Sequence, residues 1–133
     1  MCITKLLYKK LKFDKIEIRL KNVHFKVDVA DSALKQMLGL MYRENIKDAG
    51  GMLFIFRKSR KYGIWMHNMR FPIDILWLDD KHRIVDIVEK ANPCVSLINC
   101  RTHYPDKNSK FVIELKSGMV KKLHVRIGDI AEF

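Results

Sequence analysis

Four polar side chains sit where apolar residues otherwise dominate, and their types could do chemistry together. Arg43, Asn68, Asp74 and Glu114 supply a guanidinium fork, an amide and two carboxylates. A guanidinium grips an anion through paired hydrogen bonds, and an amide both donates and accepts. Two carboxylates held several ångströms apart, one with a raised pKa, can act as acid and base in a hydrolysis. If the four converge, Phe54, Phe56, Trp65 and Trp77 give them an aromatic wall, and the result is a pocket for a small polar ligand. The same residues also have a structural use. Arg43 could pair with Asp74 or Glu114 beneath a helix, and Asn68 could close a bulge by bonding to backbone.

Cys94, Cys100 and His103 are the weak candidates for a metal site. Three soft ligands within one loop could hold zinc, or the two thiols could join, but the spacing lacks the paired short intervals of a structural zinc site. The plainer expectation is free thiols and no metal. His67 falls in the polar stretch Met66 to Arg70, where a solvent-facing imidazole is the ordinary outcome. No serine lies in a nucleophile-elbow context and no glycine-rich loop has phosphate-cradling spacing, so no cofactor is expected and binding is favoured over catalysis.

The elements that must position these groups follow from periodicity. Ile16, Ile18 and Leu20 alternate with Glu17 and Arg19, and Val23, Phe25, Val27 and Val29 repeat the pattern after Lys21-Asn22, which predicts a hairpin with one wet face. His24 and Lys26 fall on that wet side. Asp31-Ser32 can cap a helix that carries Leu34, Met37 and Leu38 and ends at Gly39, delivering Arg43 toward the sheet. Met52 to Phe56 and Ile73 to Leu78 are apolar at nearly every position, as in strands covered on both faces. Between them Arg57 to Lys61 reads as a basic turn, Ile64 to Asn68 as a strand, and Pro72 as a strand start. Arg83 to Glu89 and Phe111 to Leu115 are further strands, separated by an irregular stretch from Ala91 to Ser109. Ser117 caps a short helical turn through Leu123, and a last strand follows Gly128. The expected fold is α+β, a single domain with a strongly bent or barrel-like, mainly antiparallel sheet and two short helices. Residues 1–14 form a basic N-terminal segment, in edge-strand or short-helix form, ahead of the domain at 15–133.

The 133 residues carry 26 Lys and Arg against 15 Asp and Glu, a net charge of +11. Such a charge attracts polyanions, and Lys9, Lys10, Lys12, Lys15, Arg57, Lys58, Arg60 and Lys61 form a nucleic-acid face if they lie together. Spread over solvated faces, the same charge serves solubility. No apolar run approaches a membrane span, and Lys9, Lys10 and Lys12 interrupt the early apolar run that a secretory signal needs, so a cytoplasmic location is expected. Three cysteines, an odd number in a chain with its own core, do not suggest a disulfide framework.

Gly39-Leu40-Met41-Tyr42-Arg43, Gly51 to Phe56, Trp65-Met66-His67-Asn68, Pro72 to Asp79, Ile113-Glu114-Leu115 with Gly118, and Gly128-Asp129 follow one another in a specific order. From about Val27 to Ile130 this order resembles domain of unknown function 192, also called uncharacterised protein family 0127. The resemblance implies a small sheet-rich α+β domain found in bacteria and archaea, and no established activity. Many bacterial members carry an export signal or lipid anchor, which this sequence does not display. The family block Trp-Met-Lys-Asn-Thr reads Trp65-Met66-His67-Asn68-Met69 here, so no role of that lysine or threonine carries over; Asn68 and Asp74 match. The favoured expectation is a small-ligand-binding or interaction module lined by Arg43, Asn68, Asp74, Glu114, Trp65 and Phe54. A hydrolase-like enzyme using Asp74 and Glu114, and a basic nucleic-acid-associated protein, are the alternatives.

Overall fold

A computed structural model describes residues 3–94 and 96–133. It begins with helix α1 (Ile3–Lys10), followed by strands β1 (Lys15–Leu20) and β2 (Val23–Ala30), and helix α2 (Ala33–Leu38). Strands β3 (Met52–Arg60), β4 (Ile64–Trp65), β5 (Ile73–Leu78), β6 (Ile84–Ala91), β7 (Thr102–His103) and β8 (Ser109–Lys116) precede helix α3 (Met119–Leu123). The six-stranded sheet has the order β1-β2-β3-β8-β5-β6, and β4 pairs with β7 in a two-stranded piece. Every pairing is antiparallel except β2 with β3. That parallel pair needs a crossover, which α2 and residues 39–51 supply.

Local chemistry explains most of these elements. Lys21 and Asn22 both have positive φ, 52° and 64°, the geometry that a two-residue hairpin turn demands between β1 and β2. Ser32 caps α2 by accepting a hydrogen bond from the Lys35 N–H at 3.3 Å. Gly39 ends it with φ 47° and ψ −128°, a backbone region essentially closed to residues with a Cβ. The central strands are covered on both faces. One core cluster gathers Phe25, Val27, Leu53, Leu76, Ile113 and Leu115 under α3; the other gathers Met52, Phe54, Ile75, Trp77 and Val112 under residues 40–46, β4 and Met69.

Several expectations are corrected. Three short helices are present among the described residues rather than two, because residues 3–10 are helical and Tyr8 packs on Phe13 and Tyr42. The sheet is not closed into a barrel: β1 and β6 remain edges, and residues 130–132 lay single bridges, Arg19 to Glu132 and Arg83 to Ile130, where a last strand was expected. Arg57 to Arg60 do not turn but extend β3, whose register shifts between Ile55 and Arg60 before Arg60 meets Ser109. The strand expected at Ile64 to Asn68 stops at Trp65; Asn68 takes φ 58° in the turn that follows. No helix among the described residues is long and apolar enough to cross a membrane.

Candidate functional site

Glu114 lies on β8, the strand between β3 and β5, directly opposite Met52 on one side and Ile75 on the other. Its side chain therefore points into the cluster containing Phe54 and Trp77, and it is 3% exposed. Its Oε1 is buried with no hydrogen-bond partner among the described residues. Burial pushes the Glu114 pKa up to about 8, against a smaller opposing pull from the charge of Arg43. At neutral pH the group is a neutral carboxylic acid.

A cavity of about 160 Å³ opens beside that oxygen, walled by Leu38, Gly39, Phe54, Trp65 and Met69. Each wall has a local cause. The glycine at the end of α2 lets the turn descend onto the carboxyl: a Cβ there would stand 3.2 Å from the Phe54 ring and 3.6 Å from Glu114 Oε1. Phe54 is held in a row of rings, 6.3 Å from Phe56, which stacks on Tyr62 at 3.6 Å. The indole N–H of fully buried Trp77 donates to the Tyr62 carbonyl at 2.8 Å, fixing the chain just ahead of Gly63 and β4. Trp65, 38% exposed, stands at the cavity's edge.

Of the six residues expected to share a pocket, Glu114, Phe54 and Trp65 line this cavity and the other three lie elsewhere. Asp74 pairs in register with Leu115, one position from Glu114, so the two carboxylates project from opposite faces of the sheet. Asp74 Oδ1 accepts from the Lys90 N–H at 3.0 Å, and Oδ2 from the Gly118 and Val120 N–H groups at 3.1 and 2.9 Å. It thus replaces Ser117 as the expected cap of α3, whose first residues follow Gly118 with φ 95° and no cap from a neighbouring side chain. The acid–base pair expected of Asp74 and Glu114 is not formed.

Arg43 pairs with neither Asp74 nor Glu114. Its Nη2 meets Asp28 Oδ2 at 2.6 Å, its Nε donates to the Tyr8 hydroxyl, and its guanidinium lies over the Tyr8 and Phe13 rings at 5.7 and 5.4 Å. Asp28 also receives Lys15 at 2.6 Å. Burial pushes the Asp28 carboxyl up, yet the hydrogen bonds and charges of Lys15 and Arg43 outweigh it and hold the pKa below the usual range. The Asn68 side-chain amide donates to the Tyr42 hydroxyl at 2.9 Å, and the Asn68 backbone carbonyl accepts from the Tyr42 N–H at 3.0 Å. It borders a separate surface hollow with His67 and Cys94.

The expectation of free thiols is overturned for Cys94 and Cys100, which form a disulfide with Cα atoms 5.0 Å apart. A separation of six positions in the chain does not by itself reveal that the two sulfurs meet. Cys2 lies outside the described residues. His103 sits on β7 with its pKa lowered by burial and then by Arg101, and no group of three His, Cys, Asp or Glu among the described residues could hold a metal ion.

Sequence reasoning missed two polar residues beside the site. Asp28 looks like a wet-face residue, but it lies in the same cross-strand row as Met52 and Glu114 and is covered by residues 43–51. Gln36 looks like a helix-surface residue, yet its amide nitrogen donates to the Ala30 and Ile55 carbonyls at 3.2 and 2.7 Å, extending the β2–β3 contact past the end of their ladder.

Comparison with known proteins agrees with this fold. A UPF0127 protein of Thermococcus kodakarensis is 31% identical over 86% of this chain and 68% of its own length. One from Pyrococcus furiosus is 27% identical over 85% and 90%. A crystal structure from Sinorhizobium meliloti, described as a putative transcription regulator, superposes with a TM-score of 0.84 at 30% identity, covering 92% of this chain and 96% of that one. A protein of unknown function from Novosphingobium aromaticivorans gives a TM-score of 0.82 at 23% identity over 90% and 85%, a likeness of fold. The family DUF192, described as uncharacterized ACR, matches residues 16–133, so the chain belongs to DUF192.

Proposed function

We propose that the protein is a small-ligand-binding module whose site is the cavity beside Glu114. One observation carries this reading: a carboxyl oxygen with no hydrogen-bond partner among the described residues, buried in the middle of the sheet, lies in the wall of a space large enough for a guest. Leaving such a group unsatisfied costs roughly 1–3 kcal/mol, which an apolar residue of the same shape would avoid. A ligand that bonds to the carboxyl recovers that loss. The volume, about 160 Å³, suits a molecule of about six non-hydrogen atoms, since a cavity of comparable size accommodates benzene. Native mass spectrometry of protein purified from its own host, with a thermal-shift screen of such small molecules, tests the reading. The expected result is an adduct or a stabilising compound that Glu114→Met no longer takes up. No adduct and no stabilisation, with Glu114→Met simply more stable than the parent, ends it.

A second reading keeps the basic surface. Arg57, Lys58, Arg60 and Lys61 are exposed and make no ion pair among the described residues, and they adjoin the Phe56–Tyr62 stack. Together with the description of the S. meliloti structure as a putative transcription regulator, this favours a weak nucleic-acid contact through β3. A mobility-shift series from low to high salt tests it; absence of retention at the lowest salt removes it. The cytoplasmic location belongs to the proposal too, and cell fractionation of the native host checks it.

A further inference from the structure

We propose, building on the reading of the Glu114 cavity as a ligand site, that its ligand is a short-chain aliphatic amine bound as the ammonium ion, with the charge at Glu114 and the alkyl tail among Leu38, Leu40 and Met69. Among the described residues, Glu114 Oε1 is the fully buried side-chain polar atom left without a partner. The amide nitrogen of Gln36, also in the wall, is by contrast already taken up by the Ala30 and Ile55 carbonyls. Most of the remaining lining is apolar: Met37, Leu38, Leu40, Met41, Ile64 and Met69, with Phe54 and Trp65.

Such a wall discriminates between classes of guest. A wholly apolar guest would fill the space but leave the carboxyl oxygen unsatisfied. An anion would face a like charge whenever Glu114 ionises, and Arg43, the nearby cation, is already held by Asp28. A guest with one cationic donor end and a short apolar tail matches both parts of the wall. Its charge also makes favourable contact with ring faces, and two rings, Phe54 and Trp65, are at hand. Binding such an ion favours the carboxylate, so the proton held by Glu114 passes to buffer as the ammonium enters.

Titration calorimetry of the whole protein with n-butylammonium chloride, 1-butanol and sodium butyrate, three guests of similar size and different charge, tests the assignment. The expected result is saturable binding of n-butylammonium at least about tenfold tighter than of 1-butanol, with that preference lost in Glu114→Gln. Circular dichroism of Glu114→Gln establishes that it is folded, and Glu114→Asp, which keeps the charge, is expected to recover part of the preference. If 1-butanol or butyrate binds as well as the amine, the amine assignment is overturned while the cavity stands as a ligand site. If none of the three binds, both the assignment and the site reading fall.

Discussion

Replacing Glu114 by Gln should change how stability depends on pH more than it changes stability at any single pH. The carboxyl has an ordinary value of 4.5 when exposed and about 8 in the fold. Below the first value both folded and unfolded chains hold the proton and the group contributes nothing. Between the two the unfolded chain releases its proton and the folded chain keeps it, so each pH unit favours unfolding by about 1.4 kcal/mol. Above about 8 the fold carries a buried carboxylate, and the accumulated loss is on the order of 5 kcal/mol. The amide of the variant cannot titrate. Subtracting the two proteins' unfolding free energies cancels every other ionisable group and leaves this one. From pH 5 to pH 7 the variant should gain roughly 2–3 kcal/mol on the parent, or roughly 10 °C in midpoint for a domain of this size. Urea denaturation at pH 5, 6, 7, 8 and 9 at fixed ionic strength measures it. A difference that stays flat within about 0.5 kcal/mol across that range would show that Glu114 ionises as an exposed carboxyl does, and would refute the reasoning from its burial.

Asp74→Ala should cost on the order of 3–5 kcal/mol, because three backbone N–H groups lose their acceptor together, and hydrogen exchange at Gly118 and Val120 should accelerate most. Arg43→Leu leaves Asp28 short of a partner and should cost about 3 kcal/mol at neutral pH. Since the Asp28 pKa is depressed in the fold, its stabilisation is present above the ordinary carboxylate range and is lost as pH falls through the folded value; the cost of Arg43→Leu should shrink over that acid window in the same urea assay. Gly51→Ala would place a Cβ 2.4 Å from the Glu114 carbonyl oxygen at φ 157°, so β3 and β8 must separate there and the thermal midpoint should fall by several degrees. Reducing the Cys94–Cys100 bond, which closes a short loop, should cost about 2 kcal/mol, read as a drop in urea midpoint on adding dithiothreitol.

Glu114 is legible in the sequence because one carboxylate interrupts a run of alternating apolar residues on a strand covered on both faces. The helix cap at Ser32, the breaker at Gly39 and the strand start after Pro72 are legible for the same reason: each is decided within a few residues. What decides the roles of Asp74 and Arg43 is not local. The face on which Asp74 lies relative to Glu114 depends on the β5–β8 register, and a shift of one residue would have put both carboxylates together. Arg43 finds Asp28 because the crossover after α2 folds back along β2, a path that composition does not encode. The disulfide depends likewise on distant chain, since the Cys94 N–H is held by the Met66 carbonyl.

The position of β8 between β3 and β5 has a consequence for how the molecule comes to exist. The middle of the sheet is made from one of its last strands, so β3 and β5 must wait, unpaired with each other, for a segment that arrives much later in the chain. Loop closure over such distances slows the search, and the barrier to folding is expected to be crossed when β8 slots into place. The carboxyl of Glu114 leaves water in that same event. Refolding should therefore speed up as the pH falls toward 4.5, the ordinary value below which the side chain is already protonated before the strand arrives.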